Sequence, residues 1–187
     1  SGNPLFLEQF VAYVDEHRSG DSLPPALHAL LAARLDRLDT IERSVVTVGA
    51  VAGDTFARAA IPALAGVTRA EFEQACDRLV RRDLLFPAGD SLRFRHSLVR
   101  EAAYASLAKS ARARLHERYA TWLESVDAPD AGAEIAFHLE TACRYELEIG
   151  SGASAELVSH AGRRLASAAA VARGRGDVRS EIGFLER

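Results

Sequence analysis

The chain lacks methionine and is poor in lysine and cysteine. None of its 187 residues is methionine, and Lys109 is the only lysine among 23 basic residues. Because an initiator methionine is missing, we expect this chain to be a fragment of a longer protein. Its two cysteines, Cys76 and Cys143, lie far apart and outside any CxxC pair. This pattern favours small buried thiols in a reducing compartment over a disulfide framework.

Long apolar runs and targeting signals are also missing. No stretch approaches the ~18–20 consecutive apolar residues that cross a bilayer. The first residues have neither the basic region nor the cleavage pattern of a secretory signal. We therefore expect a cytoplasmic protein with no membrane contact. The net charge of −3 argues against a generally basic nucleic-acid binder.

The motifs of common catalytic sites are missing as well. The chain has no GxxxxGKS/T phosphate loop, no GxSxG and no HExxH, and its six histidines are scattered without zinc-ligand spacing. Phosphoryl transfer requires a backbone cradle for the phosphates and a metal ion. We expect no enzymatic activity and no bound cofactor from this chain by itself.

Helical spacing of apolar residues dominates the first half of the chain. It predicts a helix over residues 5–18 and a second helix from Pro24 to Leu38. We expect a third helix that ends at Gly53, with Thr40 as its N-cap, and a short fourth helix over Phe56–Leu64. A further helix is predicted to follow Thr68, because Thr-x-x-Glu before an apolar run is the signature of a capping box.

The period then changes from that of a helix to that of a strand. Residues 84–87 and 92–95 are predicted to form a hairpin around a turn at Gly89 and Asp90. Leu92 and Phe94 are expected to face inward, and the arginines that alternate with them to face outward. Several helices followed by a small hairpin give the order of a winged-helix unit.

After the hairpin the pattern is entirely helical. Ser97 is expected to cap a helix, and breaks near residues 127–130, 150–152 and 174–177 separate later, alanine-rich helices. Helical pairs with small residues at their contacts suggest the start of a tetratricopeptide-like (TPR-like) array. The expected fold is mainly α, with a winged-helix unit that contains a small β-hairpin, followed by this TPR-like α-helical array.

His96 is the candidate site residue that the pattern itself singles out. It lies where the predicted strand becomes a helix, with Arg95 and Arg100 nearby in sequence. A histidine in such a place is usually structural, but a helix N-terminus favours anions. The residues thus indicate a modest case for a phosphate contact.

Several segments, taken in order, resemble one known succession. They are Gly2–Gln9, Leu23–Pro24 with Leu31–Leu38, Val48–Gly53 with Phe56, Phe94–Tyr104 and Arg114–His116. The succession resembles the region that follows the nucleotide-binding core in STAND-type AAA+ ATPases. These are large bacterial signalling ATPases found in LuxR-type transcriptional regulators and fused to adenylate or guanylate cyclases.

The resemblance implies three regions and a set of nucleotide-binding residues. Residues 1–22 would end the helical lid of the ATPase, 23–97 would form the winged-helix subdomain, and 98–187 would begin a TPR-like sensor. Gly2, Asn3 and Pro4 match the GxP motif, whose proline packs near the adenine. His96 matches the position that touches the ADP phosphates and helps to hold the resting state closed.

The resemblance also implies the partners. ATP or ADP would be held by a nucleotide-binding core in the same protein, which would make the full-length parent an ATP-binding ATPase. A protein or small-molecule inducer would act at the helical region, and activation would bring self-association. This chain would be the regulatory and transducing part.

Two other functions compete with this one. The first is a winged-helix DNA-binding protein with a helical dimerisation tail, and the second is a purely structural scaffold of helical pairs. Glu71, Glu73 and Asp77 lie on the face that would enter the DNA groove, where phosphates would repel them. We therefore do not expect direct DNA binding.

Overall fold

The computed structural model describes residues 25–127 and 130–187. Gly2, Asn3 and Pro4, like the predicted helix over residues 5–18, lie outside the described residues. The described chain is mainly helical and contains a small three-stranded antiparallel sheet. Its elements follow in chain order: α1 Pro25–Asp36, α2 Thr40–Ala52, β1 Thr55–Ala57, α3 Ala60–Ala65, α4 Arg69–Arg81, β2 Leu85–Ala88, β3 Ser91–Phe94, α5 Ser97–Ala105, α6 Lys109–Ser125, α7 Gly132–Glu148, α8 Ala155–Gly174 and α9 Val178–Leu185.

Helix α2 begins with a capping box, and its N-cap lies one residue before the N-cap that the sequence predicted. Asp39, not Thr40, is the N-cap, and its Oδ1 accepts the Glu42 amide proton at 2.8 Å. Glu42 Oε2 in return accepts the Asp39 amide proton at 3.1 Å. The Asp-x-x-Glu spacing satisfies two amides that have no partner within the helix, which Thr40 with Arg43 cannot do.

The predicted helix over Phe56–Leu64 is wrong in its first part. Thr55–Ala57 is strand β1, which pairs antiparallel with β3 so that Phe56 lies opposite Leu92. β3 is the central strand and also pairs with β2. Because the partner of β1 lies more than thirty residues further along the chain, tertiary pairing overrides the local helical spacing.

The hairpin and the second capping box are confirmed. Gly89 turns the chain at φ 63°, a left-handed conformation that favours glycine. Leu92 and Phe94 are buried, whereas the arginines that alternate with them are exposed. Thr68 caps α4. Its hydroxyl accepts the Glu71 amide proton, and the Glu71 carboxylate accepts the Thr68 amide proton.

Helices α6 to α9 pack each against the next. α6 and α7 are antiparallel: Lys109 at the start of α6 binds Glu148 at the end of α7, while His116 contacts His138 further along. One apolar core runs from Leu31 in α1 through the sheet to Ala161 in α8. Within the described ranges, no helix combines the length and the apolarity needed to cross a membrane.

Candidate functional site

His96 lies at the joint between the sheet and the later helices. It is the N-cap residue of α5, with extended backbone at φ −139° and ψ 137°, and its carbonyl accepts the Val99 amide proton at 3.0 Å. Ser97 is therefore the first helical residue and not the cap that the sequence predicted. The reason is that the extended His96 already presents its carbonyl to the Val99 amide, so the helix starts one residue earlier than predicted.

The surface beside His96 is an open depression lined with charged and aromatic side chains. Its lining residues are Asp54, Phe86, Arg93, Phe94, Arg95, His96 and Ser97. Arg95, which precedes His96 in the chain, lines the same depression, whereas Arg100 is not among its lining residues.

The arginines of this region already have partners. Arg95 pairs with Asp83 at 3.3 Å, and Arg100 Nε pairs with Asp54 at 2.8 Å. The Arg93 guanidinium lies over the Phe86 ring, 5.7 Å from its centroid. An anion that entered the depression would compete with two carboxylates for these cations.

Burial lowers the pKa of His96, and the positive charge of Arg95 acts in the same direction, while Asp83 opposes it. The lowered pKa favours the neutral imidazole near pH 7. A bound phosphate would raise this pKa, because a nearby anion favours the charged imidazolium. The depression can therefore offer a phosphate a hydrogen bond that strengthens as the anion arrives.

Charged side chains of α4 form ion pairs with neighbouring segments of the chain. Arg78 Nε binds the buried Glu42 at 2.8 Å, and Arg78 Nη2 binds Asp39 at 2.9 Å. Glu73 pairs with Arg58, which lies between β1 and α3. Arg78 therefore stabilises the packing of α4 against α2 and is not directed outward for a ligand.

A second cluster of functional side chains joins α5, α6 and α7. His116 of α6 and His138 of α7 are each only 2% exposed, and their Nδ1 atoms are 2.7 Å apart. His116 Nε2 is 2.8 Å from the Tyr104 hydroxyl, which donates to the Tyr145 hydroxyl at 3.0 Å. We call Tyr104, His116, His138 and Tyr145 the Tyr–His network.

The contact between the rings limits the protons of the network. The two Nδ1 atoms, 2.7 Å apart, share one proton, so that one of them donates and the other accepts. Each imidazole thus carries one proton and is neutral. Burial lowers the pKa of His116 to about 3 and that of His138 to about 4, which agrees with this assignment.

The sequence prediction missed this pair because it tested only short spacings. His116 and His138 are 22 residues apart and meet only because α6 and α7 are antiparallel. The sequence does contain one indication of this pair. Each histidine lies on the buried face of its helix, as His116 does between Ala113 and Ala120 in α6. In the parts of the chain that the structure describes, no group of three or more His, Cys, Asp or Glu residues could hold a metal ion.

No protein-family description, curated protein or solved structure matches this chain.

Proposed function

We propose that this chain is the regulatory and transducing part of a multidomain bacterial STAND ATPase, a cytoplasmic transcriptional regulator or cyclase-linked signalling protein. Residues 23–97 act as a winged-helix subdomain that closes over ADP or ATP held by a nucleotide-binding core in the same protein. The TPR-like helices that follow relay the signal of a protein or small-molecule inducer.

The observation that carries the proposal is the position of His96. The four helices α1–α4 and the sheet β1–β3–β2 precede it, an order that supports a winged-helix unit, and it stands where the last strand gives way to α5. The resemblance assigns the ADP phosphate contact to this joint. Arg93 and Arg95 in the same depression add positive charge.

The free energy of one such contact is large enough to shift a two-state equilibrium. A ligand shifts a two-state equilibrium only by its difference in affinity for the two states. A charge-assisted hydrogen bond from His96 to ADP, made only in the closed state, contributes about 1.5–3 kcal/mol. That corresponds to a change in population of about tenfold to a hundredfold, so loss of this one contact would release much of the resting state.

The proposal is tested with His96→Ala in a protein that also contains the nucleotide-binding core. We expect ADP to dissociate about ten to a hundred times faster and basal output to rise, because the closed state loses one of its contacts. The measurement is release of a fluorescent ADP analogue. His160→Ala is the matched control, because His160 lies on α8 and binds Glu124. Equal ADP release by His96→Ala and wild type would reject the assigned role.

DNA binding by α4 remains the second function. Its support is the same order of elements, but Arg78 is bound to Asp39 and Glu42, and Asp77 is exposed. Fluorescence anisotropy with duplex DNA at low salt separates the two functions. Tight binding that weakens steeply with salt would favour the DNA-binding protein over the nucleotide switch.

A further inference from the structure

The Tyr–His network joins three helices through groups that must stay neutral. Tyr104 belongs to α5, which continues directly from His96, while His116 belongs to α6 and His138 to α7. The network is therefore a buried polar connection between the joint helix and the helical array. Polar groups buried in this way bind tightly only when every donor meets an acceptor.

The contact between the two imidazoles limits how many protons the closed network can hold. Protons on both Nδ1 atoms would face each other across 2.7 Å. Two N–H groups at that distance repel each other and leave no acceptor. An extra proton must therefore sit on an Nε2 atom, and that of His138 lies 4.0 Å from Glu134. The closed pair can thus accept one extra proton at most.

The surrounding charges do little to stabilise a protonated His116–His138 pair. The titratable and charged groups that face it are Tyr104 from α5, Arg112 and Tyr119 from α6, and Glu134, Arg144 and Tyr145 from α7. Arg112 and Arg144 repel an imidazolium. Glu134 is the only carboxylate in this set, and burial raises its pKa.

We propose that the Tyr–His network is an acid-sensitive latch, which holds α5, α6 and α7 together while both imidazoles are neutral and opens more often as the pH falls. When the helices separate, water solvates both rings and each can take up a proton. Opening is therefore linked to proton uptake. Each ring takes its proton from hydronium in the solvent, so that an N–H bond forms, an O–H bond of hydronium breaks and water is released.

The size of the effect follows from linkage. A solvated histidine has a pKa near 6.5. In the closed state, burial lowers the pKa of His116 to about 3 and that of His138 to about 4. Because the open state binds more protons in this window, the closed state loses stability as pH falls from 7 to 5. The open population then rises by about 20-fold for each histidine, or about 500-fold for both. Glu134 binds its own proton more tightly in the closed state and reduces this rise.

The experiment is amide hydrogen exchange of the full chain at pH 7 and pH 5, corrected for the intrinsic exchange rate. We expect the corrected exchange rates of amides in α5, α6 and α7 to be up to about 500 times higher at pH 5 than at pH 7, because these helices open more often. The helices α2 and α4 contain no histidine and serve as internal references. A change at the latch no larger than that in α4 would overturn the proposal.

A pair of matched variants tests the role of the network. His138→Asn keeps an amide near the position of Nδ1 but cannot titrate, so the increase on acidification should fall to about 20-fold. His160→Asn, which removes a histidine of α8 that binds Glu124 of α6, should leave this increase unchanged. The same increase in His138→Asn as in the wild type would overturn the proposal.

A third measurement does not depend on any variant folding. NMR titration of the wild-type histidine rings should show His116 and His138 neutral at pH 5 while the chain is still folded. Titration of either ring near pH 6.5 in the folded state would overturn the proposal.

Discussion

At the scale of single residues, Gly49 shows how closely the sheet packs on α2. A Cβ atom built on Gly49 would lie 2.5 Å from Cζ of Phe56. Phe56 is 2% exposed and packs against Phe94 with ring centroids 5.5 Å apart, so any shift of its ring would disturb the core. Glycine is therefore required here by close approach, although it weakens a helix.

We predict that Gly49→Ala destabilises the chain by about 1–2 kcal/mol. Overpacking of a filled core costs about 1–3 kcal/mol, which outweighs the gain of up to about 1 kcal/mol in helix propensity. Gly162→Ala in α8 is the matched control, since no atom lies within 4 Å of the added Cβ. It should stabilise by about 0.5–1 kcal/mol. Urea unfolding measures both, and a stabilised Gly49→Ala would show that Phe56 moves aside freely.

At the scale of elements, Glu42 connects two helices. It completes the capping box of α2 and is fully buried, where it binds Arg78 of α4. A carboxylate removed from water in this way stabilises only because hydrogen bonds and a cation compensate its charge.

We predict that Glu42→Ala lowers the free energy of unfolding by about 3 kcal/mol. The variant loses a cap and a buried ion-pair partner and leaves a small cavity. Glu71→Ala removes the equivalent carboxylate of the exposed capping box of α4. It should therefore lower the free energy of unfolding by clearly less than Glu42→Ala does. Denaturant midpoints compare the two, and equal losses would show that burial of Glu42 contributes nothing.

The elements that the sequence predicted correctly are those with local signals. Thr68 and Glu71 are three residues apart, and the turn at Gly89 lies between two alternating strands, so neighbouring residues alone determine them. β1 has only three residues and no pattern of its own. The His116–His138 contact likewise depends on how α6 packs on α7, which no short spacing encodes. At the site, the joint at His96 was predictable and the Tyr–His network was not.

At the scale of the whole molecule, the continuous core predicts one cooperative unit. The core extends without a gap from Leu31 to Ala161 and crosses residue 97, where the sequence interpretation placed a boundary. α2 and α3 both pack against α6, so the sheet region and the helical region share an interface. Elements that share one core usually unfold together.

We predict coincident unfolding of the two regions in a Cys143→Ser background. Trp122, the single tryptophan, reports on α6 by fluorescence. Cys76 reports on α4 by thiol labelling, because it is buried and its pKa is raised to about 12, so that it reacts only after opening. Both probes should give the same denaturant midpoint. Two separate midpoints would instead place a domain boundary between them.

The scarcity of lysine has a practical consequence at one end of this packing. Lys109 begins α6 and its Nζ atom lies 2.9 Å from Glu148, the last residue of α7, while about half of the lysine side chain is exposed. An amine-reactive dye therefore has one lysine side chain to modify, and that side chain stands where α6 and α7 meet. A label there would report the separation of these two helices without any engineered attachment point.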